Sequence, residues 1–504
     1  MRSKKTAMNS IMALIAQMVS IICGFILPRL ILSHFGSSYN GITSSITQFI
    51  SCVVLLRAGI GSVTRAALYK PLSEHNVQEI SGIVNATEQY MKRIAMIFAG
   101  ALVVFAIVYP YIVSEEFEWF FSFSLVLILG ISTFAQNYFG ITYQMLIQAD
   151  QKQYIYSALT IVTTIINTIV ASILIELGCS IHIVKLGSAI VFALNPIALN
   201  LYVKRKYCID KNVAPNNNAI SQRWDAFAQQ AAAFVNNNTD VMVLTIFSNM
   251  KEVSVYTVYY LVANGLYKVE YTICESIEAA FGNMIAKGEK QVLDENVKLV
   301  EFLMYFTAAF LFICGGILIV PFAEIYTKNI LDVSYSRPVF GALICINQFL
   351  ACVRLPYQML VEASGHFKQT RNGAIFEAVM NIVVSVLLVI KLGLIGVAIG
   401  TTCALTFRTM QYAFYSSKHI LHRSIKIVFK RLAIAAGEAI STVFIICLFP
   451  SFTVYSYFDW ILYAIQVAFV TLIVLAVFSS IFFPKEETKL IKKIKNTVIK
   501  MVIR

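Results

Sequence analysis

The feature that most restricts how this 504-residue chain can fold is a recurrence of apolar runs near 20 residues long, fourteen of them between residues 8 and 483. Each is long enough to cross a hydrocarbon core about 30 Å thick as a helix rising about 1.5 Å per residue. Within such a core every backbone N–H and C=O must be satisfied inside the segment, which a helix achieves and an open strand does not. Composition agrees, because 58% of residues are hydrophobic, 13% are charged and the mean hydropathy is +0.73. Soluble chains hold about 45 to 50% apolar residues. The sequence therefore predicts an all-α integral membrane protein of about 14 transmembrane helices. The opening MRSKK and its apolar run differ from a signal peptide, because the run is too long and no small-residue cleavage site follows. It is counted as the first span.

The basic residues orient the array. With a cytoplasmic N-terminus, 30 of the 40 Lys and Arg fall inside, five fall outside (Lys185, Lys251, Lys328, Arg337, Lys391) and five lie within spans. Such a bias supports an even number of spans with both termini in the cytoplasm, and a cytoplasmic (inner) membrane location is expected. The net charge of +13 is thus an expression of topology, and no nucleic-acid partner is implied.

One phrase occurs twice. Residues 143–150 read YQMLIQAD and residues 357–364 read YQMLVEAS, an offset of 214 that Asn167 and Asn381 share. The turns LGCSI from Leu177 and LGLIG from Leu392 follow at an offset of 215. Features held in register over about 40 residues indicate duplicated structure. YQML falls near the cytoplasmic end of the fourth run and again of the tenth, so the halves share one orientation and form a parallel repeat. The expected domains are a six-helix bundle over 1–204, a polar cytoplasmic linker over 205–222 and a second six-helix bundle over 223–419. Helices 13 and 14 occupy 420–483, and a basic amphipathic tail over 484–504 sets Ile491, Ile494, Val498 and Val502 on one face.

Two parallel six-helix halves, two appended helices, the N-terminal stretch NS…FILPRLILSHFGSSYNGI and the YQML…AD phrase resemble the polysaccharide transporter family. That family belongs to the multidrug, oligosaccharidyl-lipid and polysaccharide exporter superfamily and includes flippases for lipid-linked O-antigen and capsule repeat units. The resemblance implies a MATE-like fold, two bundles around a central V-shaped cavity that opens alternately to each side. It also implies a lipid-linked oligosaccharide substrate, contact with membrane lipids, and a polysaccharide polymerase and glycosyltransferases as partners.

An ionisable residue inside a span is expensive and is a functional candidate by default. The five here are Arg29, Arg57, Lys268, Arg354 and Arg408, and all are cationic. Arg57 and Lys268 sit midway along the second and eighth runs at an offset of 211, nearly equivalent places in the two halves. Asn264, Thr272 and Glu275 lie at helical spacing from Lys268. The stretch AFVNNNTDV adds Asn237, its neighbouring amides and Asp240 near mid-span. Arg forks and a mobile Lys ammonium suit diphosphate oxygens, and amides and hydroxyls suit sugars. The expected substrate-binding set is Arg57, Lys268, Arg29, Arg354, Arg408, Asn264, Asn237 and Glu275.

Plainer readings stand beside these. Arg29 follows Pro28 near a span end and could snorkel to headgroups, and Arg354 and Arg408 could pair with helix carbonyls or an acid. Asp240 and Glu270 are ion-coupling candidates, although Glu270, like Glu438, could equally be a satisfied structural acid.

Enzymatic traces are missing. There is no G-x-x-x-x-G-K-[ST] phosphate loop, the six His are scattered, and ten Cys occur without C-x-x-C. Neither a cofactor nor a metal is expected. The sequence reading is a flippase exporting a lipid-diphosphate-linked oligosaccharide by alternating access, and not an enzyme. Its rivals are a cation-coupled multidrug exporter of the same fold and a non-transporting scaffold of a polysaccharide or cell-wall assembly complex.

Overall fold

A computed structural model describes residues 2–51, 60–217, 238–449, 454–484 and 487–488. Among them there is no strand. The helices are α1 (Arg2–Phe35), α2 (Ser37–Ser51), α3 (Ile60–Ser73), α4 (Val77–Ile112), α5 (Trp119–Ala149), α6 (Gln153–Glu176), α7 (Ile181–Lys206) and α8 (Asn238–Phe247). They continue as α9 (Met250–Ala286), α10 (Lys290–Tyr326), α11 (Pro338–Ala363), α12 (Phe367–Leu392), α13 (Leu394–His419), α14 (Lys426–Cys447) and α15 (Tyr457–Phe482). The fold is that of an all-α integral membrane protein.

Nine described helices are long and apolar enough to cross a membrane. α9, α13 and α14 run for 37, 26 and 22 residues, but charged and amide side chains dilute their apolar content. Large side chains such as Phe120, Leu387 and Ile440 stand fully outward. Water would penalise that surface, whereas lipid does not distinguish it from a neighbouring helix. Prolines inside α1, α4, α7, α10 and α11 fit the same setting, since adjacent helices re-satisfy the carbonyls they free.

By packing, the chain divides into two units, residues 1–255 with 329–333, and residues 256–328 with 334–504. In the first unit α1 packs on α6, α6 on α7, α7 on α5 and α5 on α4. In the second, α12 packs on α13, α13 on α11, α11 on α10, and α10 also receives α14 and α15. The neighbour order α4, α5, α7, α6 thus has its counterpart in α10, α11, α13, α12.

The doubled phrase does the same job in each unit. The Tyr143 hydroxyl donates to Glu88 on α4 at 3.3 Å, and Lys92 and Lys211 neutralise that carboxylate at 2.7 and 3.8 Å. In the second unit Tyr357 faces Glu301 on α10, which Arg431 holds at 2.8 Å and Arg423 also binds. The motif tyrosine therefore ties one helix to an acid on the preceding one. Asn167 and Asn381 are both buried, and the Asn381 side-chain oxygen accepts from Ser385 and Thr401 at 3.0 and 3.3 Å.

Asp150, which ends the first copy of the phrase, pins the start of the linker. It pairs with Lys152 at 2.6 Å and accepts from the Tyr207 hydroxyl at 2.5 Å. Burial, and then the bond to Asp150, raise the Tyr207 phenol pKa above its ordinary value. Asn85 donates to the Asp210 and Val213 carbonyls at 3.0 and 2.9 Å, and the Asn216 amide donates to the Gly82 carbonyl at 3.0 Å. Residues 218–222 of the linker and most of the 484–504 tail lie outside the described residues.

Candidate functional site

Of the residues singled out by sequence, Arg57 and Asn237 lie outside the described residues, as does the side chain of Glu275. Lys268 is exposed near the middle of α9. Thr272, one turn on, is exposed beside it and donates to the Lys268 carbonyl at 2.8 Å, and Asn264, one turn back, is half-buried. Spacing of four residues places these three on one helical face. Glu270 occupies the other face and is fully buried with Thr307 beside it, because two residues along a helix turn a side chain by about 200°.

Arg354 and Arg408 are brought together on one carboxylate, which does not stand out in the sequence. Glu377 on α12 receives Arg354 from α11 at 3.0 Å and Arg408 from α13 at 3.3 Å. Arg408 also donates to the Thr370 carbonyl at 2.9 Å, to Gln411 at 2.5 Å and to the Tyr412 hydroxyl at 2.7 Å. Its guanidinium lies 4.1 Å from the Tyr412 ring centroid. Three helices thus converge on a buried triad with formal charge +1, and its geometry is that of a structural ion network. Arg29 is half-buried on α1 directly after Pro28. Glu438 is buried and accepts from the Tyr305 hydroxyl at 3.0 Å, the satisfied state for a structural acid.

Asp240 is buried on α8, whose N-terminal residues and the start of α9 join a polar column with α2. Gln48 and Ser51 of α2 both bond the Asn238 side chain. Higher up the column, Ser45 accepts from Tyr109 and from Thr245, each at 2.8 Å. Asn40 donates to Ser254 at 2.8 Å across a separation of 214 residues. Ser37 then donates its amide and hydroxyl to Asp332 at 2.8 and 2.7 Å. At this level Gly41 meets the Met250 backbone so closely that no Cβ would fit. The column was foreshadowed by ITSSITQFIS, whose hydroxyl and amide residues recur along one face of α2.

Among the described residues, no group of three or more His, Cys, Asp and Glu is arranged to hold a metal ion. Asp240, Glu270, Glu301, Glu377 and Glu438 are all buried. Lys268 differs from them in both sign and exposure.

Comparison with known proteins gives no match to a family model or to a curated protein. Solved structures do match. The lipid II flippase MurJ in an inward closed conformation aligns with a TM-score of 0.69 at 15% identity, over 94% of this chain and 98% of that one. The eukaryotic MATE transporter AtDTX14 aligns at 0.58 and 15% identity, over 86% of this chain and 99% of that one. An inward-facing multidrug resistance MATE transporter of the MOP superfamily aligns at 0.57 and 11%, over 79% and 95%. The fold is therefore the one MurJ and the MATE transporters share.

Proposed function

We propose that this chain is a flippase that moves an isoprenoid-diphosphate-linked oligosaccharide from the inner to the outer leaflet of the cytoplasmic membrane by alternating access. No covalent bond is made or broken. The observation that carries this reading is the sign of the accessible charge among the described residues: Lys268 is exposed at mid-helix, while Asp240, Glu270, Glu377 and Glu438 are buried. An ammonium in a site of reduced dielectric attracts a diphosphate and repels an organic cation. In an inside-negative membrane, outward movement of the anion is favoured by about 2.3 kcal/mol per elementary charge per 100 mV.

The repeated phrase and the repeated neighbour order support two parallel repeats, 1–204 and 223–419. On this reading Arg57 is the sequence counterpart of Lys268 in the other repeat, at an offset of 211. The MurJ structure is named for a flippase of lipid II, and a lipid-linked substrate is carried over from it here. A polymerase and glycosyltransferases are the partners such an exporter needs.

The shared fold with MATE transporters keeps a multidrug exporter as the rival, and the charge sign separates the two. Lys268→Ala and Arg57→Ala, each expressed in cells lacking the native gene, should abolish surface polysaccharide while membrane abundance is unchanged, and Lys328→Ala should export normally. Normal polysaccharide from a well-expressed double variant would remove the cationic site and with it this reading.

A further inference from the structure

A cavity of about 250 Å³ lies inside the first unit where α5, α6 and α7 meet. It owes its shape to two local irregularities. Residues Gln136–Gly140 form a π-helical turn, and one α turn of about 3.6 residues plus one π turn of about 4.4 makes eight. Gln136 and Gln144 therefore line up on one face of α5, with Gly140 between them. Gly140 in turn abuts Pro196 of α7 so closely that a side chain would collide with the ring. Pro196 has no N–H, so the Phe192 carbonyl one turn back loses its helical donor.

The lining is polar without being charged. Gln136, Gln144, Asn195, Tyr156 and Thr160 face the cavity, Phe192 stands at its rim, and no Asp, Glu, Lys or Arg contributes. The side chains of Gln136, Gln144 and Tyr156 make no hydrogen bond to protein among the described residues. Half-buried amides within a membrane bundle are costly unless something answers them. A charged ligand would find no counter-charge to offset its desolvation, and an apolar one would leave the amides unpaired. A neutral, hydroxyl-rich ligand supplies donors and acceptors together, and its C–H faces can rest on the Tyr156 and Phe192 rings. We propose that this cavity binds one neutral sugar unit of the transported glycan, apart from the cationic groups that take its diphosphate. The identity of that glycan as cargo rests on the flippase reading; the chemistry of the cavity does not.

The test is saturation-transfer NMR on the purified full chain in lipid nanodiscs, with methyl N-acetylglucosaminide and methyl glucoside as probes. Ring-proton signals should appear with the parent and with Lys328→Ala, and should be displaced by neither pyrophosphate nor tetraphenylphosphonium. Gln144→Leu and the gentler Tyr156→Phe should each weaken binding about fivefold, the value of one hydrogen bond. Unchanged melting temperatures show that both variants are folded. The inference is overturned if neither sugar gives a signal, if both folded variants bind like the parent, or if the two ions compete. Because binding is read without transport, sugar binding that depends on Gln144 in a protein that exports nothing would keep the cavity and remove the flippase reading.

Discussion

Replacing Glu377 by Gln tests whether the two nearby arginines are structural. Glu377 and Arg408 side chains are each 6% exposed and Arg354 is 14% exposed, so solvent does little to screen them. In Glu377→Gln, Arg408 keeps the Thr370 carbonyl, Gln411 and Tyr412. Arg354 loses the one carboxylate it pairs with among the described residues. Removing one partner of a buried pair costs about 3 to 5 kcal/mol, mostly because a charge is left uncompensated. Arg354→Met is the informative contrast: it leaves a neutral Glu377 and Arg408 pair and should cost no more than about 1.5 kcal/mol, the scale of a single hydrogen bond. Combining the two changes should recover much of the loss, with a coupling of about 2 kcal/mol.

SDS titration of the purified protein in mixed micelles, followed by circular dichroism, gives the three unfolding free energies. Losses that simply add, or an Arg354→Met variant as unstable as Glu377→Gln, would refute the claim that Arg354 is there to answer Glu377. Surface polysaccharide per folded molecule supplies the functional half. A structural Arg354 predicts that Arg354→Met exports in proportion to its abundance. A substrate-binding Arg354 predicts a stable protein that exports nothing.

Two further outcomes follow from the doubled tyrosine motif and the linker. Glu301→Gln should destabilise the second unit by about 3 to 5 kcal/mol, because Arg423 and Arg431 both lose their buried carboxylate, and the loss should appear as a lower melting temperature. Tyr207→Phe should cost about 1 to 2 kcal/mol at neutral pH through the lost bond to Asp150. Since burial and Asp150 raise the Tyr207 pKa, that contribution is complete below the ordinary phenol value near 10 and fades only as pH climbs through the raised one. Melting curves of parent and variant should therefore keep a constant gap from pH 6 to about 9.5.

Much of the fold was legible because the bilayer imposes one rule, internal backbone satisfaction, on every apolar run. The YQML repeat was legible for a different reason: Tyr143 and Tyr357 each need an acid on the preceding helix, and both copies kept that arrangement. The acids themselves, Glu88 and Glu301, sit in stretches that read as ordinary span ends. Nothing local marks them as partners of a tyrosine more than fifty residues away. The π-helical turn was likewise invisible, since QNYFG differs from a regular helical segment only once α7 presses Pro196 against Gly140.

The candidate site shows why counting charges inside spans gives sites and structure mixed together. A mid-span cation signals only that a desolvation cost must be met, and the sequence does not say by what. For Arg354 and Arg408 it is met by Glu377, 23 residues from the first and 31 from the second, on a helix between them in the chain. For Lys268 no carboxylate among the described residues is paired with it, and the side chain is exposed. Helical phase alone already separated Lys268 from Glu270, which two residues along the same helix is wholly buried. Cations answered by an adjacent helix hold the bundle together, so substitutions there should act on stability first. Lys268, exposed at mid-helix, contributes little to packing, so its substitution should leave stability nearly unchanged.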